Sequence, residues 1–299
     1  MSQSSRATGL TAGLTAHLLW GVFPLYFKLL DQAGAFEIVA HRVWWACLVC
    51  ALGVTVKRAW RQVAAVWRRP QLAVRLAVAG ALISFNWLLY VWAVVHDQVV
   101  DAALGYFINP LVTVALAIVV LRERLRRAQW LALGCGALAV AVIVIGYGQV
   151  PWVGLGLAVT FSLYSLAKNR VGGQTTPLVG LGFETAAVTP IALAGLIWFQ
   201  ASGQSHFTGY GAWYTVGLIG TGLITAGPLI LFAVGAARLP LSSLALLQYV
   251  TPVMQFSIGV WVFGEQMPLA RWIGFALIWV ALAILSFDGL RAVRRRRVG

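Results

Sequence analysis

Acid is scarce in this sequence. Aspartate and glutamate together number 8 in 299 residues, and all charged types make up only 10%. A soluble domain of this length needs a charged surface to stay dissolved, so a soluble protein is excluded. Cysteine is rarer still: Cys47, Cys50 and Cys135 all lie inside apolar runs, where a thiol behaves as a small hydrophobe. Neither a disulfide framework nor a metal site is expected, because no His or carboxylate shares the spacing of Cys47 and Cys50. Also missing are a Gly-rich phosphate loop ending in Lys-Ser/Thr, a His-Glu-x-x-His helix, a clustered carboxylate pair, and a Ser with a His on a neighbouring turn. The sequence therefore reads as a non-enzyme that needs no cofactor.

What is present is apolar. Hydrophobic residues make up 61% of the chain, in runs that reach the ~20 residues needed to cross a bilayer as a helix. Ten spans are expected, near 10–29, 36–56, 72–95, 100–121, 129–145, 153–167, 178–199, 213–236, 241–263 and 269–287, in an all-α integral membrane protein. The first run is too long for the core of a signal peptide and carries no obvious cleavage site. Lysine and arginine number 22, and their positions decide what they are for. With both termini inside, eighteen fall on the inner side, clustered at 57–69, 122–127 and 291–297; Arg75 begins the third span there, and Lys28, Arg42 and Arg271 remain for the outer side or the membrane interior. This is the positive-inside pattern. It predicts a multi-pass inner-membrane protein with cytoplasmic N- and C-termini. The expected partners are the lipid bilayer and a small-molecule substrate, not nucleic acid.

The fourth run contains Leu104-Gly105-Tyr106-Phe107-Ile108-Asn109-Pro110, and Leu246-Leu247-Gln248-Tyr249-Val250-Thr251-Pro252 echoes it in the ninth. The offset that pairs Pro110 with Pro252 also pairs Glu123 with Glu265, Trp130 with Trp272 and Ala139 with Ala281. The segments 1–147 and 148–299 are thus read as repeats. Each holds an odd number of spans, so the second enters the membrane from the opposite side, giving an inverted-topology repeat. Pro24, Pro110 and Pro252 are the expected helix breaks, since each withdraws a donor from a helix that lipid cannot satisfy. Pro24 in particular leaves the Trp20 carbonyl without its usual partner. Paired interruptions in corresponding helices point to a transporter's substrate site; kinks repaired by neighbouring helices are the alternative.

Candidate substrate-binding side chains are Trp20, Arg42, Asn86, Tyr90, Tyr106, Asn109, Glu184, Gln248 and Tyr249. Arg42 and Glu184 are ionisable residues inside spans, where each costs about 2.5–3.5 kcal/mol to insert; their depths differ, so no direct ion pair is expected. The fifth span is polar-free and suits packing and homodimerisation. The function expected is a secondary transporter of a small amphipathic metabolite or drug, working by alternating access. A membrane-embedded lipid-modifying enzyme and a non-transporting scaffold or sensor are the alternatives.

Several strings carry a resemblance. Trp20-Gly21 with Pro24, Tyr26, Phe27 and Lys28, then His41-Arg42, Asn86-Trp87, Gly105-Tyr106-Phe107-Ile108-Asn109-Pro110-Leu111 with Glu123-Arg124, and Gln248-Tyr249 with Pro252 resemble the RarD subgroup of the EamA family, in the drug/metabolite transporter superfamily. The resemblance spans nearly the whole chain. It implies a ten-helix inner-membrane permease or exporter with a central cavity between helices one to four and six to nine, and helices five and ten outside it. The subgroup is named for chloramphenicol sensitivity, a phenotype more than a cargo, so the resemblance implies efflux of no particular solute.

Overall fold

The structure is a computed structural model that describes residues 3–121, 125–239 and 241–298; Glu123, the predicted counterpart of Glu265, lies outside them. The described residues form helices and turns only. In chain order they are α1 (Gln3–Gly21), α2 (Phe23–Lys28), α3 (Gly34–Val56), α4 (Trp60–Trp67), α5 (Pro70–Val95), α6 (Val99–Leu121), α7 (Arg127–Tyr147), α8 (Trp152–Val171), α9 (Pro177–Ala201), α10 (Ala212–Ala236), α11 (Leu241–Leu247), α12 (Val250–Ser257) and α13 (Leu269–Val298). A π-helical turn, Ile258–Val262, continues α12 and closes on the bond from Phe263 N–H to the Ile258 carbonyl (2.9 Å).

Among the described residues, eight helical segments are long and apolar enough to cross a membrane: α1 joined to α2, then α3, α5, α6, α7, α9, α10 and α13. Helix α8 is as long but carries Thr160, Ser162, Ser165, Lys168, Asn169 and Arg170, and α11 and α12 are short pieces of one apolar run. Large apolar side chains such as Val119, Ile145, Ile191 and Leu269 are largely exposed, the reverse of a soluble surface and the expected face toward lipid. Helix α4 is different in kind. It is short and amphipathic, exposes Trp60 and Trp67, and is flanked by Lys57, Arg58, Arg68 and Arg69, as suits a helix lying in the interface.

The interior is built by helices from before residue 147 interleaving with helices from after it. Helix α3 packs on α9 and α10, α5 on α8 and α9, α6 on α8 and α12, and α1 on α10 and α12, while α7 and α13 pair with each other and against α6. Lipid gives no hydrophobic drive to bring helices together, so close approach rests on small residues. Gly105 and Gly154 supply it where α6 meets α8: a Cβ on Gly105 would lie 2.6 Å from the Gly154 carbonyl oxygen, and one on Gly154 2.7 Å from that of Asp101. Gly80 does the same for α5 and α9, since a Cβ there would overlap the Glu184 carbonyl oxygen.

Candidate functional site

The three prolines have three different outcomes. At Pro24 the helix breaks between α1 and α2, with Val22 at φ −88°, ψ 0°. The Trp20 carbonyl that Pro24 cannot serve accepts instead from Gln255 Nε2 on α12 (3.1 Å). One turn earlier, His17 Nδ1 meets Thr251 Oγ1 (3.0 Å), and the same hydroxyl donates to the His17 carbonyl (3.0 Å). At Pro110 the helix does not break; α6 continues through it. Here neighbouring side chains bind the backbone, with the Asn109 carbonyl accepting from Thr113 Oγ1 (2.9 Å) and Ser162 Oγ (3.3 Å). Near Pro252 the break falls earlier, at Gln248 and Tyr249, where Tyr249 N–H turns back to the Leu246 carbonyl (3.3 Å).

That early break redistributes the candidate residues. Gln248 and Gln255 are seven apart and would share a face of an unbroken helix. The turn at 248–249 leaves Gln248 exposed and sends Gln255, which is buried, against α1. Tyr249 is carried outward to α13, where its hydroxyl meets Ser286 Oγ (3.2 Å). The structure therefore does not bring Gln248 and Tyr249 to Arg42 and Asn86.

Other candidates converge. Asn86 on α5 is buried and its Nδ2 donates to Thr160 Oγ1 (2.8 Å) and the Leu157 carbonyl (3.0 Å) of α8. Asn109 Oδ1 accepts from Ser162 Oγ (2.7 Å), two residues further along the same helix. Arg42 on α3 is only 4% exposed, and its Nε donates to Thr225 Oγ1 of α10 (2.8 Å). Its guanidinium carbon lies 4.3 Å from the Trp87 ring centroid, 5.3 Å from Phe27 and 5.5 Å from Phe23. Such contacts contribute about 0.5–2 kcal/mol each in a desolvated setting, enough together to offset the insertion cost of the cation. Tyr90, packed between Phe27 (6.2 Å) and Tyr106 (5.9 Å), completes this aromatic enclosure. Trp20 is half-buried at its edge, stacked edgewise on His17 (5.2 Å).

Glu184 has a separate setting. It is buried on α9 and forms an ion pair with Lys168 of α8, with Tyr164 Oη donating to its second oxygen (3.2 Å). Arg42 and Glu184 thus have different partners. Thr160, Ser162, Thr225, Gln255, Tyr164 and Lys168 escaped sequence reasoning as site residues. Hydroxyls on an apolar helix commonly bond back to their own turn, as Thr160 and Thr225 also do here, so nothing in the string marks them as cross-helix partners.

The ends of the bundle are closed by polar contacts as well. On the predicted outer side, Glu265 accepts from the N–H groups of Val99 and Val100 at the start of α6, and Arg271 pairs with Asp101 (3.1 Å). Burial pushes the Glu265 carboxyl up to about 7, against the two N–H donors that favour its ionised form. A cavity of about 480 Å³ opens beside them, lined by Asp97, Gln98, Gln149, Trp152 and Gln266 among others. Nearby, fully buried Glu37 accepts from His206 N–H and Nδ1 (2.8 Å each), and this holds Phe207 stacked on His41 (4.9 Å). Toward the predicted inner side a second cavity of about 330 Å³ lies between α4, α5 and residues 173–176.

A bundle of membrane helices whose buried polar side chains bridge its two sequence segments defines a multi-pass membrane protein with a polar interior. Residues 7–145 match the EamA-like transporter family. The chain is 46% identical to Protein RarD of Streptomyces exfoliatus, covering 99% of this chain and 93% of that one. It is 40% identical to an uncharacterized transporter of Pseudomonas aeruginosa, over 99% and 98% of the two chains. A protein of known crystal structure shares the fold, with a TM-score of 0.58 at 20% identity over 93% of this chain and 97% of its own. The chain belongs to the EamA-like transporter family, in its RarD branch.

Proposed function

We propose that this protein is a secondary transporter that moves a small amphipathic metabolite or drug across the inner membrane by alternating access. In this reading α8 and the broken α11–α12 segment complete ten spans, and the segments 1–147 and 148–299 are inverted halves that rock about a central group of Arg42, Asn86, Tyr90, Tyr106 and Asn109. One observation carries it. Four polar contacts in the interior run between the halves: Asn86 to Thr160, Asn109 to Ser162, Arg42 to Thr225 and Gln255 to the Trp20 carbonyl. Interhelical bonds of this kind average only about 0.6 kcal/mol in membrane proteins. A seam made of them can be exchanged for a solute's own polar groups at little cost. A rigid scaffold has no need of that property, and the sequence supplies no catalytic constellation for an enzyme.

Flux of labelled amino acids and chloramphenicol into proteoliposomes tests the reading. Saturable vectorial flux is expected, slowed by Asn86→Leu and Asn109→Ala in variants that fold normally. Wild-type rates in both variants would remove the central group from the path, and chemical turnover without flux would favour the enzyme alternative.

A further inference from the structure

We infer that Arg42 and Tyr90 form the binding site for a carboxylate group on an apolar or aromatic solute, an inference that rests on the transport reading above. The argument begins with what the Arg42 guanidinium lacks. Its environment is Trp87, Phe27 and Phe23, and Nε is taken by Thr225. The Nη1 edge is buried and has no hydrogen-bond partner, and among the described residues no carboxylate pairs with it. Tyr90, only 2% exposed, likewise holds a buried hydroxyl without a partner, and its ring packs on Phe27 (6.2 Å), one of the rings that face the guanidinium.

Other buried ionic side chains are provided for. Glu184 has Lys168 and Tyr164, Arg271 has Asp101, and Glu37 has His206. Arg42 therefore stands out as a cation held by ring faces, beside a second idle donor, with no anion. A buried donor left unsatisfied calls for an explanation, and for a cation beside a second idle donor a bound anion supplies one.

The geometry also selects the anion. A guanidinium offers its donors in one plane, matched to the two coplanar oxygens of a carboxylate. One uncompensated cation balances a single negative charge, so a dianionic phosphate ester would bring a second charge that nothing here neutralises. The walls are aromatic, which suits an apolar or aromatic body attached to the carboxylate.

The test uses the full chain in lipid nanodiscs and four probes of similar shape: phenylacetate, phenylalanine, phenethyl alcohol and phenethylamine. Both carboxylates are expected to bind and to raise the unfolding temperature, whereas the alcohol and the amine do not. Arg42→Met should weaken phenylacetate binding by about 30-fold or more, the usual loss when one member of a hydrogen-bonded charge pair is removed. Arg42→Lys should retain part of the affinity, and Tyr90→Phe, which leaves the cation and the packing in place, should lose about fivefold, one hydrogen bond's worth. If Arg42→Met does not fold, Tyr90→Phe and Arg42→Lys decide the matter.

The inference is overturned if phenylacetate binds wild type no better than phenethyl alcohol, or if the folded Arg42 and Tyr90 variants bind it as wild type does. Proteoliposome flux separates this outcome from failure of the transport reading. Carboxylate binding without flux would leave the site standing and remove transport, while flux of chloramphenicol or the amine without carboxylate binding would do the opposite.

Discussion

Gly105→Ala tests whether α6 and α8 meet backbone to backbone. The new Cβ would sit 2.6 Å from the Gly154 carbonyl oxygen and 3.0 Å from Leu157 Cβ. A carbon resting on a carbonyl oxygen keeps about 3.3 Å or more, so the helices must part by about 0.7 Å there. Such overpacking costs about 1–3 kcal/mol. The same displacement would stretch the Ser162 to Asn109 bond, now 2.7 Å, toward the length at which a hydrogen bond fades. Alanine returns about 1 kcal/mol of helix propensity, leaving a net loss of up to about 2 kcal/mol. At about 2–4 °C per kcal/mol for large domains, the unfolding temperature of purified protein in detergent should fall by up to about 8 °C, and should lie below that of a glycine-to-alanine change with free space around it.

Gly134→Ala on α7 is the control, because no heavy atom lies within 4 Å of a Cβ there. It keeps the propensity gain and should not destabilise. Gly154→Ala, which would meet the Asp101 carbonyl oxygen at 2.7 Å, should cost about as much as Gly105→Ala. Combined, the two should cost less than their sum, since helices already parted by one methyl accommodate the other. If Gly105→Ala behaves like Gly134→Ala, the close contact of α6 and α8 is not present in the protein.

Two further predictions follow from the charged groups. Lys168→Met leaves Glu184 buried without its cation and should cost about 2–4 kcal/mol in denaturant unfolding; adding Glu184→Gln should recover most of that, and an additive double variant would show that the pair is uncoupled. Glu265 concerns pH: its folded carboxyl titrates at about 7 against an ordinary value of 4.5, so the folded state holds the extra proton between those values. Stability relative to Glu265→Gln should therefore fall as pH rises from about 4.5 to 7 and level off above. A flat difference in unfolding temperature across that range would refute the buried, cross-helix placement of this side chain.

The apolar, helical character of the membrane segments was legible in the string, because crossing lipid imposes length and hydrophobicity on each segment separately; the ten spans expected from it stand against eight helices long and apolar enough to cross among the described residues. Also legible was the identity of several polar residues in need of a partner: Arg42, Asn86 and Asn109 lie in apolar runs, and a polar group in a membrane helix must find one. The Trp20 carbonyl freed by Pro24 could be named in advance for the same local reason. Its donor could not be named: Gln255 reaches it only because the chain turns at Gln248 and Tyr249, ahead of Pro252, and that turn also carries Tyr249 away to Ser286. Pro110, with the same local chemistry, stays inside a whole helix with Ser162 and Thr113 bound to the turn before it. Local sequence determined which groups needed a partner. Tertiary packing decided who supplied it, because a hydroxyl or amide on one helix bonds across to another only when small residues such as Gly105 and Gly154 let the backbones meet.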